Sequence, residues 1–408
     1  MGQPNGRVVD RRRRIRKALV LPGAGARGAY QVGVLKAIAS ILPKQAPNPF
    51  AVISGTSAGA INAAVLASRA DHFERAVIEM EHVWSHFEAS QVYRTDNWTM
   101  LKSSVHWFAT VVLGGLGLSN PTSLLDNSPL RQLLERQVRF ARIEHAIERG
   151  HLDALAVTAS AYTSARSVTF FQAHPSIQPW ARVRRIGRAE RIGIDHLMAS
   201  TAVPFVFPPV RIGGEYYGDG SMRHRAPLSS AIHLGADRML VIGVRDERPD
   251  PEPSADRPPD FPSLAHLAGY MLDTLFMDGL YTDLERLSRV NRILEQTGID
   301  HLKGSLSTLR PLHAVVIVPK EDIRAVAERH AHELPRGVRL LLQGIGAMNR
   351  SGMQLVSYLL FESGFTRALI EMGYRDALSM EDELRAFIFD QPMDTLYAPA
   401  HLQRALER

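Results

Sequence analysis

Phe50-Ala51-Val52-Ile53-Ser54-Gly55-Thr56-Ser57-Ala58-Gly59-Ala60-Ile61-Asn62-Ala63-Ala64-Val65-Leu66-Ala67 reads as a buried strand, a tight turn and a helix. The strand is the apolar run from Phe50, and the helix is the small-residue segment after Gly59, rich in strong helix formers. Between them lies a G-x-S-x-G set, Gly55 to Gly59. In this context the motif marks a nucleophile elbow, a sharp turn that presents Ser57 with nearly side-chain-free neighbours. The serine would sit at a helix N-terminus, where free N–H groups and the helix dipole favour developing negative charge. A structural Gly/Ser turn is the competing reading.

Upstream, Lys17-Ala18-Leu19-Val20-Leu21-Pro22 is a second short strand, followed by Gly23-Ala24-Gly25-Ala26-Arg27-Gly28 and an apolar helical pattern from Ala29 to Ile38. A G-x-G-x-x-G between strand and helix could cradle a dinucleotide, but that use wants an acidic residue at the end of the next strand. No Asp or Glu lies between Gly28 and Ser57. The alternative is an oxyanion hole, with loop N–H groups aimed at an acyl oxygen. No cofactor is expected.

A third cluster, Tyr216-Tyr217-Gly218-Asp219-Gly220, follows a β-like stretch from Val210, with Ala199 to Pro209 upstream. With the three motifs in this order, the chain resembles the patatin-like phospholipases over roughly residues 17 to 245. The resemblance implies a three-layer α/β sheet covered by helices, and a Ser-Asp dyad. Ser57 would be the nucleophile and Asp219 the proton acceptor, with Gly23, Ala24, Gly25, Ala26, Arg27 and Gly28 forming the oxyanion hole and Gly55, Gly59 and Gly220 completing the motifs. Two positions depart from the family pattern: Ala24 replaces the middle of three glycines, and Ser221 follows Asp-Gly where Gly or Ala is usual. Both replacements are small, so altered tuning is expected and not lost chemistry.

An unperturbed Asp is a weak base for a hydroxyl. Burial would raise its basicity, and N–H donors would stabilise alkoxide and oxyanion together. The rival mechanism is a triad. Of sixteen histidines, His224 is nearest in sequence to Asp219, and none lies in a context that marks it as a base. His82 and His86 have the spacing for a shared metal but lack the Glu of H-E-x-x-H and a third ligand, so no metal is expected.

The 408 residues are 45% hydrophobic and 22% charged, which fits a globular chain. Zero cysteines exclude disulfides and thiol catalysis and fit a reducing compartment. No apolar run is long enough to span a bilayer, and no signal-peptide core follows the basic N-terminus. A cytoplasmic location with peripheral membrane contact is therefore expected.

Arg11-Arg12-Arg13-Arg14-Ile15-Arg16-Lys17 has two readings, a solvated arm over residues 1–16 or an attractor for anionic headgroups. Nucleic acid is not an expected partner, since no recognition helix, aromatic platform or zinc site accompanies the charge. The apolar stretch 105–118 reads either as a buried helix or as a cap that dips into lipid. A catalytic domain over 17–245 and a Pro- and Asp-rich linker over 246–262 precede a mostly helical region at 263–408. Its one strand-like run, His313 to Val318, would rejoin the catalytic sheet. Packing, a homodimer surface and a lipid-facing lobe all remain open for that region. Three functions follow: a lipid acyl hydrolase of the phospholipase A or lysophospholipase kind acting on phospholipid or another lipid ester, a soluble esterase or thioesterase, or a membrane-associated scaffold without turnover.

Overall fold

The computed structural model describes residues 15–94, 123, 125–223, 226–245, 261–297, 309–349, 352–398 and 403. Residues Arg11 to Arg14, the stretch 105–118, His224 and most of the linker, 246–260, lie outside the described residues.

Strand β1 (Lys17–Leu21) leads through the glycine loop into helix α1 (Gly28–Ile41), and β2 (Val52–Thr56) leads through Ser57 into α2 (Ala58–Ala67). Helices α3 (Phe73–Ser85), α4 (Ser128–Gln137) and α5 (Phe140–Glu148) follow. Two strands, β3 (Ala154–Ala161) and β4 (Ser167–Ala173), form an antiparallel hairpin. Next come β5 (Trp180–Ala181), β6 (Arg185–Ala189), α6 (Ile194–Ser200), β7 (Val210–Ile212), β8 (Glu215–Asp219), α7 (Leu228–His233) and β9 (Arg238–Ile242). The remainder comprises α8 (Leu264–Asp273), a π-helical turn (Thr274–Asp278), α9 (Gly279–Thr297), β10 (His313–Ile317), α10 (Ile323–His330), α11 (Arg336–Gly344), α12 (Met353–Leu359), α13 (Ser363–Leu378), α14 (Glu381–Ile388) and β11 (Leu396–Tyr397).

Eleven strands form one mixed sheet in the order β11-β10-β9-β1-β2-β3-β4-β6-β5, with β8 paired to β3 and β7 to β8. The central strands β10, β9, β1, β2 and β3 are mutually parallel. Their residues are apolar on both faces because both faces are covered. Ala18 and Val20 pack with Leu228 and Ala231 of α7 and with Leu280 and Leu284 of α9. Leu19 and Leu21 face the other way, toward a core that includes Tyr30, Ala63, Phe73 and Phe365. These are the three layers of an α/β fold. Successive connections leave β1 toward β2 on one side, while β9 flanks it on the other. The crevice beyond the C-terminal ends of β1 and β2 is where such sheets bind ligands.

The C-terminal elements are built into this body. Strand β10 extends the sheet beside β9, as the sequence pattern predicts for His313 to Val318. Helix α13 lies against α1 at glycine contacts: a Cβ on Gly33 would stand 2.0 Å from the Ile370 carbonyl oxygen, and one on Gly373 2.2 Å from that of Tyr30. At the N-terminal edge, Arg16 and Lys17 are held by Asp153 at 3.3 Å and Asp390 at 3.1 Å. No helix among the described residues is long and apolar enough to cross a membrane.

Candidate active site

Ser57 sits between β2 and α2 with φ 54° and ψ −130°, a left-handed backbone that non-glycine residues adopt only under constraint. The flanking glycines have a steric cause. A Cβ on Gly55 would stand 2.4 Å from the Gly59 carbonyl oxygen, and one on Gly59 would stand 2.1 Å from that of Leu21. The elbow therefore closes only with glycine at both positions. Ser57 is 3% exposed, and its N–H donates to Ser200 Oγ at 2.9 Å. Ser200 in turn donates to the Thr158 carbonyl at 2.7 Å, which anchors the elbow to β3.

Asp219 ends β8 and is 2% exposed. Its N–H donates to the Ala202 carbonyl at 2.8 Å, and its Oδ1 accepts from the Ser221 N–H at 2.9 Å. Oδ2 is buried without a hydrogen-bond partner among the described residues. Burial pushes the Asp219 carboxyl up to about 6, against the opposing effects of the Ser57 hydroxyl and of Ser221. Gly220 cannot be larger, since a Cβ there would meet the Thr158 carbonyl oxygen at 2.1 Å.

The glycine loop runs from Gly23 through a 3-10 turn, Gly25–Arg27, into α1 at Gly28. Gly25 has φ 52°, and a Cβ on it would meet the Tyr358 carbonyl oxygen at 2.6 Å. A Cβ on Gly23 would meet the Phe276 ring and Ser221 Oγ, both at 2.4 Å. The departures at Ala24 and Ser221 are both buried in this arrangement. Pro22 and Gly28 at the loop's ends are tied together: Gln31 Nε2 donates to the Pro22 carbonyl at 3.0 Å, and Asn62 Nδ2 donates to the Gly28 carbonyl at 3.2 Å and to Gln31 Oε1 at 3.0 Å.

Arg27 holds the loop from the other side. Its side chain is 1% exposed and donates through Nε and Nη2 to Ser357 Oγ at 3.0 and 2.6 Å. Nη1 reaches the Tyr358 hydroxyl at 3.1 Å and Asp273 Oδ1 at 3.4 Å, and the guanidinium stacks 3.8 Å from the Tyr358 ring centre. Asp273 also accepts from the Tyr358 hydroxyl at 2.7 Å and pairs with Arg245 at 2.7 Å. The C-terminal region therefore packs onto the loop proposed to hold the oxyanion. No local pattern around residues 273 or 357 signals this role. We expect Asp273→Ala to leave the Arg27 charge buried with one partner fewer, costing about 3–5 kcal/mol. Thermal melts should show a lowered midpoint, with Asp273→Asn intermediate.

Ser57 borders a narrow, largely apolar cavity of about 100 Å³. Ile61, Val65, Met80, Trp84 and Leu134 line one side, and Phe276, Leu355 and Tyr358 the other. No histidine is among the lining residues described. His82 and His86 are exposed, with ring centres 4.6 Å apart and the planes tilted by 43°, and no group of three metal-binding side chains occurs among the described residues.

A family model described as patatin-like phospholipase matches residues 19–232. No curated protein matches the chain. Among solved structures, VipD from Legionella pneumophila is 13% identical, with 90% of this chain and 67% of that one aligned at a TM-score of 0.38. The ExoU–SpcU complex from the type III secretion system of Pseudomonas aeruginosa gives 16% identity, 96% and 74% coverage and a TM-score of 0.26.

Proposed function

The chain belongs to the patatin-like phospholipase family, whose members are lipid acyl hydrolases, and from that premise we propose that it cleaves phospholipid or lysophospholipid esters through Ser57 and Asp219. The observation that carries the reading is a strained, buried serine that lines an apolar cavity, beside a buried carboxylate whose Oδ2 has no hydrogen-bond partner among the described residues. Ser57 Oγ attacks the ester carbonyl carbon while its proton passes to Asp219. Backbone N–H groups of the loop Gly23 to Gly28 receive the oxyanion. The carbonyl reforms as the C–O bond to the alcohol breaks, and Asp219 returns its proton to the departing oxygen. Water then repeats the sequence on the acyl-serine, with Asp219 again as base.

Two residues that carry no local motif support these roles. Ser200 fixes the elbow and the Ala202 carbonyl fixes Asp219, and both come from the stretch between Ala199 and Pro209. A bilayer as the working surface, with Arg11 to Arg14 drawn to anionic headgroups, belongs to the same proposal.

The test compares hydrolysis of anionic phospholipid vesicles with that of a soluble short-chain ester. Turnover of vesicles well above the soluble ester supports the lipid hydrolase. The reverse order supports the soluble esterase, and no turnover of either supports the scaffold. The pH dependence adds a second check. Asp219 must be ionised to act as base, so kcat/KM should fall tenfold per pH unit below a limb near 6. A limb near 4 would place the base at an unperturbed carboxyl.

A further inference from the structure

Ser57, Ile61 and Val65 are spaced four apart, so they form one stripe along α2, and all three line the cavity. Helix α3 runs antiparallel beside it. Trp84 Nε1 donates to Asn62 Oδ1 at 3.0 Å, and Met80 and Glu79, about one turn earlier on α3, also line the cavity. Beyond Val65 the lining changes character. Glu79 forms an ion pair with Arg69, Arg69 Nη1 donates to the Gln137 carbonyl at 3.0 Å, and Gln137 and Glu79 both border the cavity. Arg69 is 7% exposed and the Glu79 side chain 32% exposed, so this end of the cavity is a polar barrier, buried on the arginine side and open to solvent on the glutamate side.

We propose that the groove between α2 and α3 measures acyl chains and that the Arg69–Glu79 pair ends it at about ten carbons. The inference rests on the hydrolase reading above. Eight helical residues from Ser57 to Val65 advance about 12 Å. A zigzag chain with bonds of about 1.5 Å at tetrahedral angles advances about 1.25 Å per carbon, so the two lengths match near the tenth carbon. Each methylene buried in the groove strengthens binding about fourfold. Past the barrier that gain stops, because further carbons must run over an ion pair that reaches solvent through Glu79, or turn back toward water.

The test is kcat/KM for p-nitrophenyl esters of four to sixteen carbons at fixed detergent, in the wild type, Ile61→Trp and Val65→Trp. The expected wild-type profile rises to eight or ten carbons and gains nothing further out to sixteen. An indole at position 65 should move the maximum to shorter chains, and one at position 61, a turn nearer Ser57, should move it further. A wild-type profile that climbs steadily to sixteen carbons overturns the proposal, as does an unchanged ten-to-four-carbon ratio in whichever variant folds. If the wild type cleaves none of these esters, it is the hydrolase reading that has failed. The ruler is then decided by titrating decanoate and palmitate into Ser57→Ala in a calorimeter. Affinities within about tenfold support it, and palmitate binding tighter by a hundredfold or more overturns it.

Discussion

Replacing Ser57 with alanine is expected to lower ester hydrolysis by about 10⁴-fold or more, the scale seen when a catalytic serine is lost. The fold should survive. Only Oγ is removed, while the N–H that donates to Ser200 at 2.9 Å stays in place. Alanine must take up φ 54°, the same strain that serine bears there. The measurement is paired: turnover of vesicles and soluble ester for activity, and circular dichroism with a thermal melt for structure. Labelling by a fluorophosphonate should modify Ser57 and vanish in the alanine variant. Labelling that persists would place the nucleophile elsewhere.

Asp219→Asn should cost nearly as much activity, since an amide cannot take the serine proton. Its effect on stability should have the opposite sign. Burial raises the folded-state pKa of Asp219 to about 6, above its usual range. The folded protein then holds a proton more tightly than the unfolded chain between about pH 4 and 6, so this group's contribution to stability declines as pH rises through that window. Above pH 6 the ionised, buried carboxylate costs up to about 3 kcal/mol. Asparagine removes that charge, so the variant should melt higher than the wild type at pH 8 and lose the advantage at pH 4. A lower melting temperature at pH 8 would show that the carboxylate is needed to hold the β8 turn. Activity retained in Asp219→Asn, together with loss in His224→Ala, would replace the dyad by a triad.

The elbow was legible in the sequence because its constraints are local. A Cβ on Gly55 would strike backbone four and five residues on, and one on Gly59 would strike the end of the adjacent strand, so only glycine tolerates either position. The strands around residues 18–21 and 52–55 were legible for a related reason: a parallel sheet covered on both faces demands unbroken apolar runs. The place of Asp219 was readable only as one member of an ordered set, since Asp-Gly alone is a common turn.

Other parts of the site have no local signature. Ser200 and Thr158, which anchor the elbow, are ordinary hydroxyl residues in sequence. Arg27 is one arginine among many until the fold sets Asp273 and Ser357 against it, 246 and 330 positions away. The region after the linker showed helices and one strand but no role. The role emerges from packing: α13 meets α1 through Gly33 and Gly373, and this places α12 and the π-helical turn over the glycine loop.

The sequence by itself determined the order of strand, turn and helix and marked the nucleophile candidate, since apolar periodicity and short-range turn sterics dictate both. The tertiary structure alone decided how basic Asp219 is, what holds Arg27 and where the acyl groove ends. Those properties arise from burial and from contacts between residues far apart in the chain, and no short-range pattern encodes either.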